Sequence, residues 1–185
     1  MTSRIAVVAG VLGAVTSAVT AGVYIDFSAR IMPSLGRMTN AAGIARMQHL
    51  NRSIEQGPFM LCFCGAGLAG GYLVYRLLRA DRAMADVLLA AGGAAYLAGL
   101  LLTMVYNVPM NNRLAAVDPH AAASVDLWRD YLHNWTPANT VRAVFSVAAV
   151  GLLVAGLITG ARGRTSTPAG TSSPYAEQLS VSAHR

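Results

Sequence analysis

Four apolar runs, Ile5–Ile25, Pro58–Leu78, Met84–Tyr106 and Val141–Gly160, divide the chain. Each reaches the roughly 20 residues that a helix needs to cross about 30 Å of hydrocarbon. Two long connections, from Asp26 to Gly57 and from Asn107 to Thr140, lie on one side of these runs, and a short one around Arg79 lies on the other. The pattern predicts an all-α, integral membrane four-helix bundle over residues 1–160, with short amphipathic helices in the two long loops. From Ala161 to Arg185 the sequence turns to Ser, Thr, Pro and Gly with little to bury, which predicts a disordered C-terminal tail. The first run exceeds the 7–15 apolar residues of a signal-peptide core, and no clean cleavage site follows it, so it is expected to remain as a span.

Inside the first long loop, Ile44, Met47, Leu50 and Ile54 mark one face of a helix over Ala41–Ile54, with Gln48, Asn51 and Glu55 on another. Ahead of it, Pro33 is expected to break or kink the extension of the first span. The second loop opens with Asn107-Val108-Pro109-Met110-Asn111-Asn112, where Pro109 cannot donate to the carbonyl of Val105 and the asparagines can satisfy the freed group. Asp118-Pro119 reads as the start of a short helix presenting Val125, Trp128, Leu132 and Trp135, and the tryptophans suit an interfacial belt. Thr136-Pro137 repeats that signal and opens the fourth span, whose first turns carry Asn139, Arg142 and Ser146 on one face.

Composition agrees with the pattern: 55% of the 185 residues are hydrophobic, only 12% are charged, and the mean hydropathy is +0.47, more than one water-soluble domain usually carries. The formal charge of +6 comes from arginine alone, without a basic stripe interleaved with aromatics, so nucleic acid is not expected as a partner. Arg4, Arg76, Arg79, Arg82, Arg162 and Arg164 flank the spans on the short-loop side. By the positive-inside bias, both termini are expected in the cytoplasm of a multi-pass cell-membrane protein, with the long loops outside. The raw arginine count is nonetheless equal on the two sides. Glycine and alanine recur four apart, as Gly10 with Ala14, Gly67 with Gly71 and Gly156 with Gly160, a spacing that lets helices approach closely in lipid. Cys62 and Cys64 point to nearly opposite helix faces, so neither a disulfide nor a metal pair is expected between them.

All seven asparagines and both tryptophans fall in the two long loops or at their span ends. Amides near hydrocarbon are costly unless they meet partners, so their gathering at one rim predicts a built polar site. Arg142 is its focus: it either snorkels to the interface or turns inward to donate to Asn107, a freed carbonyl or an anionic ligand. No histidine pair four apart, phosphate loop, nucleophile elbow or dinucleotide fingerprint accompanies it, and no metal site is expected.

Phe27, Met32-Pro33-x-Leu35, Met47-Gln48-x-x-Asn51, Asn107-x-Pro109-x-Asn111, Trp128-x-x-Tyr131 and Trp135-Thr136-x-x-Asn139-x-x-Arg142 together resemble the anthrone-oxygenase-like family of small membrane proteins, from about Gly22 to about Val150. Many members carry histidine after the last asparagine, where this chain has Thr140. The resemblance implies a four-helix membrane bundle and, in a few members, conversion of an anthrone to an anthraquinone without a bound cofactor. That chemistry needs a base, donors for an oxyanion and an apolar pocket open to dioxygen. His49 or His133 is the candidate base; Arg142, Asn51, Asn107 and Asn139 are candidate oxyanion donors. Gln48, Asn111, Trp128, Trp135, Tyr131 and Phe27 are candidate substrate contacts. Two classes stay open: an oxidoreductase acting on a lipophilic aromatic or quinonoid substrate, and a non-catalytic protein that binds a lipid, a quinone or a membrane partner. The sequence leaves the oligomeric state open.

Overall fold

In a computed structural model the chain is described over residues 3–79 and 83–165, and throughout these residues it is helical or in short turns. The elements are α1 (Arg4–Asp26), a π-helical segment (Phe27–Ile31), α2 (Met32–Gly36), α3 (Asn40–Glu55), α4 (Phe59–Leu77), α5 (Met84–Leu102), a second π-helical segment (Thr103–Asn107), α6 (Val108–Ala115) and α7 (Ser124–Thr165). Four continuous helical stretches are long and apolar enough to cross a membrane, as the apolar runs predicted. The tail expected from Ala161 begins within the last turn of α7, and its remainder from residue 166 lies outside the described residues.

The four long helices form a ring in which α1 and α5 each pack against both α4 and α7. Small residues set the spacing. A Cβ on Gly93 would lie 2.6 Å from the Gly70 carbonyl oxygen, so the α4–α5 contact has no room for a side chain. Gly71, expected to pair with Gly67 at a contact, instead has nothing within 4 Å of its Cβ position. Val8, Val11, Leu12, Val15, Leu61, Leu68, Leu101, Val144, Val147 and Ile158 point outward as exposed apolar surface, which suits lipid chains. At the short-loop rim a nearly buried pair, Arg76 with Asp86, ties α4 to α5.

Both prolines predicted to interrupt helices are absorbed without a break. The N–H of Met32 bonds to the carbonyl of Phe27, and that of Val108 to Thr103, five residues back in each case. A proline ring clashes with the carbonyl four residues earlier, here Ala29 and Val105, and the extra residue of a π turn relieves that clash. The same device recurs on α1 and α5, which lie diagonally across the ring.

α7 corrects the sequence reading most. Instead of a short tryptophan helix followed by a separate span, one helix of 42 residues runs through Pro137. At 1.5 Å per residue it is about 63 Å long, twice the hydrocarbon thickness. Asp118 does not cap it: Asp118 Oδ1 accepts from the His120 N–H at 2.9 Å in a turn, and the helix begins at Ser124. Pro137 is tolerated because it and His133, whose carbonyl it leaves without a helical donor, both face outward. The buried stripe Trp128, Tyr131, Trp135, Asn139, Arg142, Ser146, Ala149 and Leu153 passes unbroken behind them at three- and four-residue steps.

The protruding third of α7 carries a head built from α2, α3 and α6. Its core is Phe27, Met32, Leu35, Ile44, Met47, Leu114, Trp128, Tyr131 and Trp135. The tryptophans therefore form no interfacial belt. Trp128 stacks on Tyr131 and Tyr131 on Trp135, each pair with ring centroids 5.7 Å apart.

Candidate functional site

Where head meets bundle, a cavity of about 240 Å³ opens between the ends of α1, α3 and α4, the second π segment and the middle of α7. Its walls are mainly apolar and aromatic, with Tyr24, Phe27, Phe59, Phe63 and Trp135 among them, and Thr103, Asn51, Asn111, Asn139, Arg142 and Glu55 supply the polar groups. Phe27 and Thr103 are the first residues of the two π segments, so the register shifts lie at the cavity wall. An apolar cavity of roughly 150 Å³ accepts benzene, so this one has room for a fused-ring compound.

Arg142 does not snorkel. It is only 5% exposed although Val141 beside it faces outward. Its Nη2 donates to Asn139 Oδ1 at 2.7 Å and its Nη1 to Thr103 Oγ1 at 3.3 Å. The guanidinium lies 4.4 Å from the Tyr24 ring centroid and 5.3 Å from that of Trp135, so aromatic faces hold its plane. Its Nε is buried without a hydrogen-bond partner. Among the described residues it pairs with no carboxylate, unlike Arg30, Arg76 and Arg129, which pair with Asp26, Asp86 and Asp126. Removing a cation from water costs several kcal/mol unless an anion compensates it, so a group in this state marks a place where negative charge is favoured.

Asn139 fixes that guanidinium. Its Nδ2 donates to the Tyr24 carbonyl and to Ser28 Oγ, both at 2.7 Å, which leaves its Oδ1 facing Arg142. Thr140, where many resembling sequences have histidine, is exposed and shares a 2.9 Å hydrogen bond with the Ser28 hydroxyl. Asn111 Oδ1 accepts from Tyr131 Oη at 2.7 Å and Trp135 Nε1 at 2.8 Å, so it locks the lower end of the aromatic stack. Asn51 contributes a buried Nδ2 that has no partner.

Several expected site residues lie elsewhere. Asn107 is fully buried beside the cavity but does not line it, and it spends its Nδ2 on the Trp135 carbonyl at 3.5 Å, not on Arg142. Gln48 donates to the carbonyls of Leu114 and Val117 at 2.8 and 2.9 Å, closing the C-terminal end of α6, because a helix end buried in the head needs a donor there. Trp128 and Tyr131 belong to the head core and not to the wall. His49 and His133 are both exposed and line no part of the cavity; His49 Nδ1 lies 3.5 Å from Ser53 Oγ. Polarity drew attention to these histidines, and only tertiary placement shows which way they point. Conversely, Tyr24, Phe59, Phe63 and Thr103 sit inside or at the end of apolar runs and gave no polar signal. Glu55, four residues after Asn51 on the same helix face, was within reach of helical spacing; it is the one carboxylate on the wall among the described residues. No three His, Cys, Asp or Glu side chains gather as a metal set among those residues.

Comparison with known proteins gives no significant match among curated proteins or solved structures. The family model for anthrone oxygenase matches residues 50–152, from the end of α3 through Asn51, Glu55, Asn111, Trp135, Asn139 and Arg142. That span covers more than half of the chain, and together with α1 it supplies the walls of the aromatic cavity. The chain belongs to the anthrone oxygenase family.

Proposed function

We propose that the protein is a membrane-embedded, cofactor-independent oxygenase whose substrate is a lipophilic aromatic compound with an acidic ring position, of the anthrone type. The observation that carries the proposal is the buried, carboxylate-free guanidinium of Arg142 at the wall of an apolar, aromatic cavity. An anthrone that loses a ring proton becomes an enolate, and its oxygen is the anion such a cation favours. Arg142 Nε and Asn51 Nδ2 are the spare donors for it, and Asn139 and Thr103 position the guanidinium. Glu55 at the wall takes the proton in place of the outward-facing histidines. Dioxygen then adds to the electron-rich ring carbon, the peroxide formed collects a proton, and loss of water leaves the quinone. One anthrone and one dioxygen give one quinone and one water, so no further reductant is needed. Met104, on the wall and 53% exposed, marks a route from hydrocarbon into the cavity.

The test is oxygen uptake by the purified, detergent-solubilised protein given an anthrone. The proposal expects one dioxygen consumed per quinone formed, at a rate lost in Arg142→Met. Tight binding of an anthrone with no turnover above the spontaneous rate would favour the second class, a binding protein for aromatic or quinonoid lipids. We further propose that the head faces out of the cytoplasm, as the arginine bias implies; labelling of Ala121→Cys in intact cells by an impermeant thiol reagent supports this, and labelling only after lysis reverses it.

A further inference from the structure

A second concavity lies outside the bundle on the head, separate from the aromatic cavity. It encloses about 610 Å³, and Asp26, Arg30, Ser34, Arg37 and Arg46 are the polar residues on its wall. Three arginines reach it from three elements: Arg30 from the first π segment, Arg37 just after α2 and Arg46 from α3. One carboxylate answers them, Asp26, at 3.4 Å from Arg30. Arg37 and Arg46 have no acidic partner among the described residues.

Position gives this excess its meaning. The outward-facing apolar side chains of α1 end at Ile25, so Asp26 and Arg30 stand at the level where hydrocarbon gives way to headgroups. The cleft is basic around its rim, has a serine hydroxyl at Ser34, and has an apolar part at Ile31, Leu35, Met38 and Leu50. Met38 remains 42% exposed there. A free surface needs no such combination, whereas a phosphodiester on a glycerol backbone presents an anion beside an apolar root. Guanidinium forks match phosphate oxygens in pairs.

We propose that this cleft binds the phosphate of an anionic phospholipid, with Arg30, Arg37 and Arg46 as its ligands. The site is independent of the oxygenase proposal, because none of its residues lines the aromatic cavity.

The test uses the full chain in detergent micelles titrated with phosphatidylglycerol, with phosphatidylcholine and with inorganic phosphate as separate arms. Binding is read as protection from thermal unfolding and by native mass spectrometry. Phosphatidylglycerol is expected to bind and the zwitterionic lipid to bind far more weakly. Each arginine near a membrane surface contributes about a fivefold preference, so the triple variant R30Q/R37Q/R46Q should lose roughly a hundredfold in affinity. Arg129→Gln, which removes an exposed head arginine outside the cleft, should leave the phosphatidylglycerol affinity unchanged. Equal binding of the two lipids, or unchanged phosphatidylglycerol affinity in a folded triple variant, overturns the proposal. Inorganic phosphate competing at the lipid's own concentration overturns the lipid as the source. If the triple variant fails to fold, the single variant Arg46→Gln with the salt dependence of wild-type binding decides: affinity that does not fall with salt overturns it.

Discussion

Replacing Arg142 by methionine separates two roles that the structure superimposes on one side chain. The guanidinium makes two hydrogen bonds, to Asn139 Oδ1 at 2.7 Å and Thr103 Oγ1 at 3.3 Å, and lies over two aromatic rings. Bonds involving a charged group contribute about 1.5–3 kcal/mol each, and each aromatic face about 0.5–2 kcal/mol. Against these stands the desolvation of a cation with no carboxylate beside it, several kcal/mol, which methionine removes. The terms nearly cancel, so stability should change by no more than about 2 kcal/mol. For a chain of this length that is a shift in melting temperature within about 8 °C. Binding of an oxyanion has no such cancellation. Loss of one donor to a developing oxyanion costs about 10²- to 10³-fold, and a hydroxyanthraquinone phenolate is a stable probe of the same charge. Trp135 lines the cavity and Trp128 is two stacking steps away, so quenching of tryptophan fluorescence reads occupancy. The expected result is a folded Arg142→Met protein with affinity for the phenolate reduced at least a hundredfold, and Arg142→Lys in between. Unchanged affinity in the folded variant refutes the assignment of Arg142 as the anion-binding group. A melting temperature lowered by well over 15 °C refutes the cancellation and makes the residue structural.

Because His49 and His133 face outward, His49→Ala and His133→Ala should leave phenolate affinity and any anthrone turnover within about twofold of wild type, as a rate and binding comparison at one pH will show. Gln48→Ala removes two hydrogen bonds to the end of α6, at about 1 kcal/mol each, and should lower the melting temperature by several degrees without changing phenolate affinity. Gly93→Ala forces a methyl onto the Gly70 carbonyl and should cost about 1–3 kcal/mol or prevent extraction of folded protein, whereas Gly71→Ala, which meets open space, should be near neutral by thermal unfolding in the same detergent.

Much of the frame was legible because the bilayer admits so few solutions. Backbone groups in hydrocarbon must be satisfied within helices, so the four long apolar runs could hardly be anything else. The placement of Arg142 was only half legible: its shared face with Asn139 one turn earlier pointed inward, but snorkelling stayed open and the expected partner was Asn107, not the Asn139 amide that takes up its N–H. Proline was the source of the main errors. Pro137 and Pro119 are common at helix starts, and reading both that way cut α7 in two and hid the stripe from Trp128 to Leu153 that crosses the cut. Pro33 and Pro109 read as breaks, but a π turn absorbs each. The cavity itself needed three dimensions: Tyr24, Phe59 and Phe63 are unremarkable residues of apolar runs until α1 and α4 are set beside α7. Gln48 shows the converse case, in which a polar residue on the expected face serves the helix end next to it and not the site.

The central claim is that the cavity stabilises the anionic form of an aromatic ligand. It is tested most directly by titrating a bound anthrone with pH under argon, following the visible band of its enolate in detergent. The account predicts that the enolate forms at lower pH on the wild-type protein than in empty micelles, and that Arg142→Met abolishes this shift. An apolar cavity without a working cation would raise the pH at which the ligand ionises, so a midpoint unchanged or raised on the wild-type protein contradicts it.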